Sequence, residues 1–310
     1  MNLLFLALVT ELFSSRSTHS MISSTMARKS SYATLTLTTL AMLAFAANSV
    51  LCRLALGADT IDAASFTSIR LLSGAAMLAI ILFYRNRSFG QDKPNPVSAL
   101  MLFTYAICFS FSYIQLSTGT GALILFGTVQ LTLMLSGLLK GERPVPLAWL
   151  GMVAAFSGLV YLLLPSVSAP PLDGSALMIL AGIAWGIYTL RGKGSKDPLS
   201  ATSWNFLGTI PLVALTYVVF RSDFHLSQEG IVLAVASGAL ASGLGYVIWY
   251  SVLPRLSWMN AATVQLSVPV IAAAGGVILI AEPVTVRLVI ATLVVLGGIY
   301  LTIRSATPRS

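Results

Sequence analysis

Few side chains in this sequence are equipped for chemistry, and they do not cluster. The 310 residues include two histidines and two cysteines, with 18 Lys and Arg against 10 Asp and Glu. His19 and His225 fall between apolar runs, while Cys52 and Cys108 sit singly inside them. That spacing makes neither a zinc ligand set nor a disulfide framework, so no metal is expected. Gly119-Thr-Gly121-Ala lacks the Lys-Ser/Thr of a phosphate-binding loop, and neither a Gly-x-Ser-x-Gly elbow nor a His-Glu-x-x-His pair occurs. Catalysis and a bound cofactor find no foothold.

The groups that remain suit recognition rather than reaction. Asn48, Gln130, Asn205 and Gln265 are neutral amides embedded in apolar runs. Each both donates and accepts, so they can meet the ammonium and carboxylate of a zwitterion; the competing use is a hydrogen bond between neighbouring helices. Tyr105, Phe109 and Tyr113 fall four apart and share one helical face. Trp185 and Tyr188 form a second aromatic set, and Tyr246, Trp249 and Tyr250 a third. An interfacial belt or ordinary packing accounts for most of these rings. Trp185 lies near the middle of its run, too deep for a belt, so Trp185, Tyr105 and Tyr246 are expected to form an apolar wall.

The elements that must position these groups are membrane-length helices. Hydrophobic residues make up 56% of the chain and charged residues 9%, far from the roughly one-quarter charged of soluble domains. Ten apolar segments are long enough to cross a ~30 Å hydrocarbon core: about 32–56, 64–84, 98–117, 119–140, 146–164, 174–191, 200–220, 229–254, 258–280 and 285–304. An all-α membrane protein follows. Residues 1–31 read as a dispensable N-terminal extension, with Met26 as an alternative start. The net charge of +8 is spread singly between spans, which suits lipid headgroups and orientation rather than nucleic acid. Placing the N-terminus in the cytoplasm puts fourteen Lys and Arg on the inside and leaves only Arg53, Arg70, Arg221 and Arg287 outside. Both termini are therefore expected in the cytoplasm.

The chain also looks built twice. Glu142 and Glu282 are 140 residues apart, each followed sixteen positions later by a glycine, and Arg53 and Arg191 are 138 apart. Repeats at 32–164 and 165–310 would hold five spans each. An odd number forces the second copy to enter from the opposite face, giving two inverted five-helix repeats, an arrangement suited to alternating access. Pro211 and Pro269 are the expected kinks, Pro269 as the hinge of span nine. Gly182-x-x-x-Gly186 marks a close helix contact.

Arg70-Leu-Leu-Ser-Gly-Ala in span two, the Glu142…Gly158 and Glu282…Gly298 spacings, Ala-Trp185-Gly-Ile-Tyr188 and Ser267-Val-Pro269-Val resemble the EamA-type repeats of the drug/metabolite transporter superfamily over about residues 32–304. Within it, the chain looks most like bacterial inner-membrane exporters of aromatic and other amino acids. One departure is that the place in span four corresponding to Pro269 holds Val129-Gln130. The resemblance implies a cavity lined by spans one, three, four, six, eight and nine. That makes Asn48, Tyr105, Gln130, Trp185, Tyr246 and Gln265 the expected substrate-binding residues, with an amino acid as substrate, the lipid bilayer as partner, and a path contained in one monomer.

No Asp or Glu lies at the centre of any span. Proton coupling normally needs such a group, so transport down the substrate's own gradient is expected. Glu142 and Glu282 read as structural, capping or pairing at helix ends with Lys140, Arg143 or Arg287. Arg53 and Arg70 read as outer-end residues that snorkel or pair with Asp59 and Asp62, with attraction of a carboxylate at the outer mouth as the alternative. A lipophilic-cation exporter is disfavoured because span one carries Asn48 and no carboxylate. A phosphorylated-sugar carrier is disfavoured because no Lys or Arg appears central.

Overall fold

The computed structural model describes residues 23–84, 94–139, 141, 144–164, 169–192, 195, 197–220, 224–256 and 264–305, with side chains from residue 33 onward. Among these residues there are helices, no extended strand, and one isolated antiparallel bridge between Ile61 and Leu226. The first five helices are α1 (Ser23–Gly57), α2 (Ala63–Tyr84), α3 (Pro96–Tyr113), α4 (Thr118–Leu139) and α5 (Pro146–Leu163). The last five are α6 (Leu172–Gly192), α7 (Pro198–Val219), α8 (Gln228–Arg255), α9 (Ser267–Ile280) and α10 (Val286–Ser305).

Nine of these have apolar stretches of 18 to 28 residues, which at 1.5 Å per residue reach about 27 Å or more and are long enough to cross a bilayer. Their outward faces carry Phe83, Phe156 and Leu293, each 61–78% exposed. Such faces are at home in lipid and would drive association in water.

Three helices depart from regular geometry, each for a local reason. In α7 the break falls at Thr209, two residues before Pro211, whose ring cannot donate back to Leu207; the Thr209 hydroxyl donates to the Phe206 carbonyl at 2.6 Å instead. In α9 the regular helix is only 14 residues long. Pro269, expected at a bend within span nine, occupies the first turn of this helix, where a missing N–H costs little. The irregularity lies just before it, at Leu266, and the Ser267 hydroxyl donates to the Val264 carbonyl at 2.6 Å. The start expected near residue 258 lies outside the described residues. In α8, Ala236–Leu244 is a π-helix made of small residues, Ala-Ser-Gly-Ala-Leu-Ala-Ser-Gly-Leu.

The helices pack largely across the two sets of five. A Cβ on Gly182 would approach Thr128 Cβ to 2.7 Å and one on Gly186 would approach Thr132 Cβ to 2.8 Å, so the Gly-x-x-x-Gly seam presses α6 onto α4. The glycines sixteen residues after each Glu have the same use. Gly158 faces Val295, and Gly298 faces the backbone of Gly151 and Ala155, joining α5 to α10. Thr302 closes this seam by donating to the Ala148 carbonyl at 3.2 Å.

One end of the bundle is tied by a clasp. Arg53 donates Nε to Glu282 Oε1 at 3.1 Å and Nη1 to the carbonyls of Tyr113 and Ile114, both at 3.0 Å. Glu282 Oε2 accepts the Thr118 N–H at 2.8 Å. The guanidinium thus covers the last carbonyls of α3 and the carboxylate covers an opening N–H of α4, each with the sign that a helix end favours. Ala281, with φ of 55°, turns the chain so that Glu282 N bonds the Gly276 carbonyl at 3.1 Å.

This geometry corrects the expected partners. Glu282 pairs with Arg53, while Arg287 donates to the carbonyls of Tyr161 and Leu164 at the end of α5. Asp62 accepts the Ser65 N–H at 2.8 Å, starting α2, and the His225 N–H at 2.9 Å; it pairs with neither arginine among the described residues. Glu142, Lys140 and Arg143 lie outside the described residues.

Two predictions follow from the packing. A Cβ on Gly298 would lie 2.6 Å from backbone atoms of Gly151 and Ala155, whereas one on Gly297 would meet nothing within 4 Å. Gly298→Ala is therefore expected to destabilise by about 1–3 kcal/mol, and Gly297→Ala to be neutral or slightly stabilising, read as melting temperature in detergent. Glu282→Gln keeps an acceptor for Thr118 N–H and loses the ion pair, whereas Glu282→Ala loses both. The alanine variant should melt lower than the glutamine variant, with a total loss of about 1–3 kcal/mol, between the limits for exposed and buried pairs.

Candidate functional site

The interior space at the junction of the two helix sets is walled by aromatic rings. Phe45, Asn48 and Ser49 come from α1, Tyr105 and Phe109 from α3, Leu125 and Phe126 from α4, Trp185 from α6, and Ala241 and Tyr246 from α8. The α4–α6 seam carries Trp185 to this wall, three residues beyond Gly182 and one before Gly186. Trp185 is 6% exposed and its ring centroid lies 4.8 Å from that of Tyr105 and 5.0 Å from that of Tyr246. Phe45 meets Tyr246 and Trp249 edge-on, both at 5.9 Å.

These rings leave a free volume of only about 10 Å³, near the minimum for one water molecule. The site is closed. A ligand of several non-hydrogen atoms enters only if the aromatic side chains or the helices that carry them move apart.

A second small space, about 20 Å³, lies among Tyr188, Ser195, Thr202, Asn205 and Tyr250. Asn205 Nδ2 donates to the Tyr188 hydroxyl at 3.2 Å. Trp185 and Tyr188 stack at 5.3 Å with an interplanar angle of 28°, so this pair of rings stands between the two spaces.

Asn48 and Tyr105, on the polar side of the central space, belong to a chain of hydrogen bonds that leaves α8 and returns to it. Ser237 Oγ donates to Asn48 Oδ1 at 2.6 Å, and Asn48 Nδ2 donates to the Tyr105 hydroxyl at 3.2 Å. Arg70 Nη2 donates to the same hydroxyl at 3.0 Å, and Arg70 Nε to Ser242 Oγ at 3.1 Å. Both serines belong to the π-helical stretch of α8. In an α-helix, residues five apart point about 140° away from each other; the wider i→i+5 turn brings Ser237 and Ser242 onto one side. A Cβ on Gly238, between them, would collide with the Arg70 carbonyl and Ser73 Oγ, so α8 lies directly on α2 here.

The structure thus places Asn48, Tyr105, Trp185 and Tyr246 around one cavity. Gln130 and Gln265 are not among its lining residues. Gln130 lies one helical turn beyond Phe126, 2% exposed, with no hydrogen-bond partner for Nε2. Gln265 immediately precedes the irregular turn at Leu266.

Arg70 is the residue that the sequence reading misplaced. It is not at an outer helix end but 1% exposed, seven residues past the start of α2 and so about 10 Å in. Its guanidinium faces the rings of Tyr105 and Phe109 at 5.1 and 4.9 Å. Asp62-x-x-Ser65 is a helix cap that starts α2 at Ala63, one residue before the expected 64, so the boundary was right and the misplacement lay in treating a cation about two turns in as one that reaches the surface. A cation therefore does lie within the bundle, and its absence no longer counts against a phosphate carrier.

With this geometry in view, comparison with known proteins is informative. The model of the EamA-like transporter family matches twice, at residues 33–164 and 172–304. The chain is 54% identical over 268 residues to an uncharacterized protein of Pseudomonas aeruginosa, covering 86% of this chain and 93% of that one. It is 30% identical over 250 residues to an uncharacterized transporter of Archaeoglobus fulgidus, covering 77% and 88%. It is also 30% identical over 177 residues to the threonine/homoserine exporter RhtA of Salmonella typhimurium, covering 54% and 58%. A crystal structure with 19% sequence identity superposes with a TM-score of 0.62 over 85% of this chain and 98% of that chain, which shows the fold. Ten apolar helices in two sets of five, matched twice by one family model, make this chain a multi-pass membrane protein of the EamA-like transporter family.

Proposed function

We propose that the protein exports neutral amino acids, aromatic ones included, or closely similar small metabolites across the bacterial inner membrane by alternating access. The observation that carries this reading is the aromatic-walled, neutral-edged cavity between the two helix sets. Its wall of Phe45, Trp185 and Tyr246 suits an apolar side chain, while Asn48, Tyr105 and Ser49 supply polar atoms at one edge. Resemblance to an exporter whose name specifies threonine and homoserine supports the amino-acid class. The Lys and Arg asymmetry of the connecting segments supports cytoplasmic termini.

The cavity closes between helices of both sets, so rocking one set against the other opens it to one face at a time. No Asp or Glu is among the residues that line it. Transport is therefore driven by the substrate's own gradient rather than by a carboxylate that takes up and releases a proton in the cavity. The buried Arg70 beside the cavity opposes a lipophilic-cation substrate by like-charge repulsion.

Uptake of labelled threonine, methionine, phenylalanine and tryptophan into liposomes containing the purified protein tests this reading. Saturable uptake that persists after the pH gradient is collapsed is expected; no uptake of any of the four by folded protein overturns it. Trp185→Ala should lower tryptophan and phenylalanine uptake relative to threonine by about three- to tenfold, the scale of one aromatic contact of about 0.5–1.5 kcal/mol.

A further inference from the structure

Arg70 is a buried cation without an acid. It is 1% exposed, and the ion pair among the described residues joins Arg53 to Glu282 instead. Its Nε is held by Ser242 and its Nη2 by Tyr105, but its Nη1 is buried with no hydrogen-bond partner. The faces of Tyr105 and Phe109 hold the guanidinium plane without neutralising it. Charges at this depth are retained chiefly where they meet a partner, a path or a ligand, and an uncompensated buried charge is costly.

The neighbours of Arg70 are set for donation as well. The Tyr105 hydroxyl already accepts from Asn48 and from Arg70. With both lone pairs engaged, it can act on a further group only by donating its proton, and the Tyr246 hydroxyl beside it on the same wall is the neighbour a ligand oxygen would replace. Ser49 Oγ, buried and on the cavity wall, makes no well-aligned hydrogen bond and has only the Tyr113 hydroxyl close by. A guanidinium N–H and two hydroxyls with no acid among them call for an acceptor that carries negative charge. A carboxylate matches the single positive charge; a phosphate ester, at close to two negative charges, leaves a surplus.

We propose that Arg70, together with Tyr105 and Ser49, forms the subsite for a substrate carboxylate, so that the protein selects carboxylic acids over the corresponding amides and amines. The inference deepens the amino-acid reading and rests on the same cavity. In the closed arrangement Tyr105 and Phe109 stand between the guanidinium and the free space. The carboxylate meets the Tyr105 and Ser49 hydroxyls first and reaches Arg70 Nη1 as these rings part on opening. The side chain is then left against Phe45, Trp185 and Tyr246.

The test is equilibrium binding of labelled phenylalanine, threonine, their amides, and phenyllactate to the purified protein. Binding of both amino acids and phenyllactate, with the amides at least tenfold weaker, is expected for loss of a charge-assisted contact. Phenyllactate binding without the amino acids supports the carboxylate subsite and overturns the amino-acid reading. Amides binding as tightly as acids overturns the subsite and leaves the amino-acid reading standing. If nothing binds to folded protein, both fall. Arg70→Lys should keep the preference for acid over amide and Arg70→Gln should bring it close to one; a full preference retained by folded Arg70→Gln overturns the proposal.

Discussion

Five side chains, Ser237, Asn48, Tyr105, Arg70 and Ser242, form a hydrogen-bonded circuit that runs from α8 through α1, α3 and α2 and back to α8. In an apolar surrounding, polar groups must find their partners inside the protein. This circuit satisfies most of them while joining helices of both sets. It also explains the small-residue composition of the middle of α8. Only a helix with glycine at 238 can lie on the α2 backbone closely enough for its serines to reach Asn48 and Arg70. The cavity wall is then completed by Ala241 from the same stretch and by Tyr246 just beyond it.

At the Glu282 end, a different chemistry holds the helices. The Arg53–Glu282 pair works mainly through what each partner does to a helix terminus, since its oxygens and nitrogens also take Thr118 N–H and the Tyr113 and Ile114 carbonyls. The pair therefore fixes where α3 ends and α4 begins, and with them the places of Tyr105 and Phe126 on the cavity wall. Arg191 acts similarly on the opposite end of α3, donating to Asn95 Oδ1 at 3.0 Å and to Ser98 Oγ at 3.2 Å. The two arginines set 138 residues apart in the sequence thus lie against opposite ends of a single helix.

The ten helices and the doubling that the family model matches were legible because both depend on coarse properties: the length of apolar runs, and the recurrence of Glu and Gly at an offset of 140 and of Arg at 138. Tyr105, Trp185 and Tyr246 of the cavity wall were legible from their depth within their spans, whereas Phe45 and Phe126 were not, since a phenylalanine in an apolar run is indistinguishable from ordinary packing. Arg70 was not, because the expected start at 64 is within one residue of the observed Ala63, and a cation that deep is sealed or free according to which helices pack over it. The π stretch left no periodic trace, since alanine, serine and glycine are compatible with several helical geometries. The partner of Glu282 was hidden for another reason. Arg53 is 229 residues away in sequence, and only the packed arrangement of α1, α3, α4 and α9 brings the two together.

The small volume of the central space bears on more than substrate entry. Free protons and ions cross a membrane protein along connected water, and a file of waters carries protons by handing them from one molecule to the next. The central space has room for about one water and is divided from the Tyr188 space by stacked rings, so it holds no such file within itself. A proton crossing at this level would have to pass the stacked Trp185 and Tyr188 rings, which carry no chain of water between the two spaces.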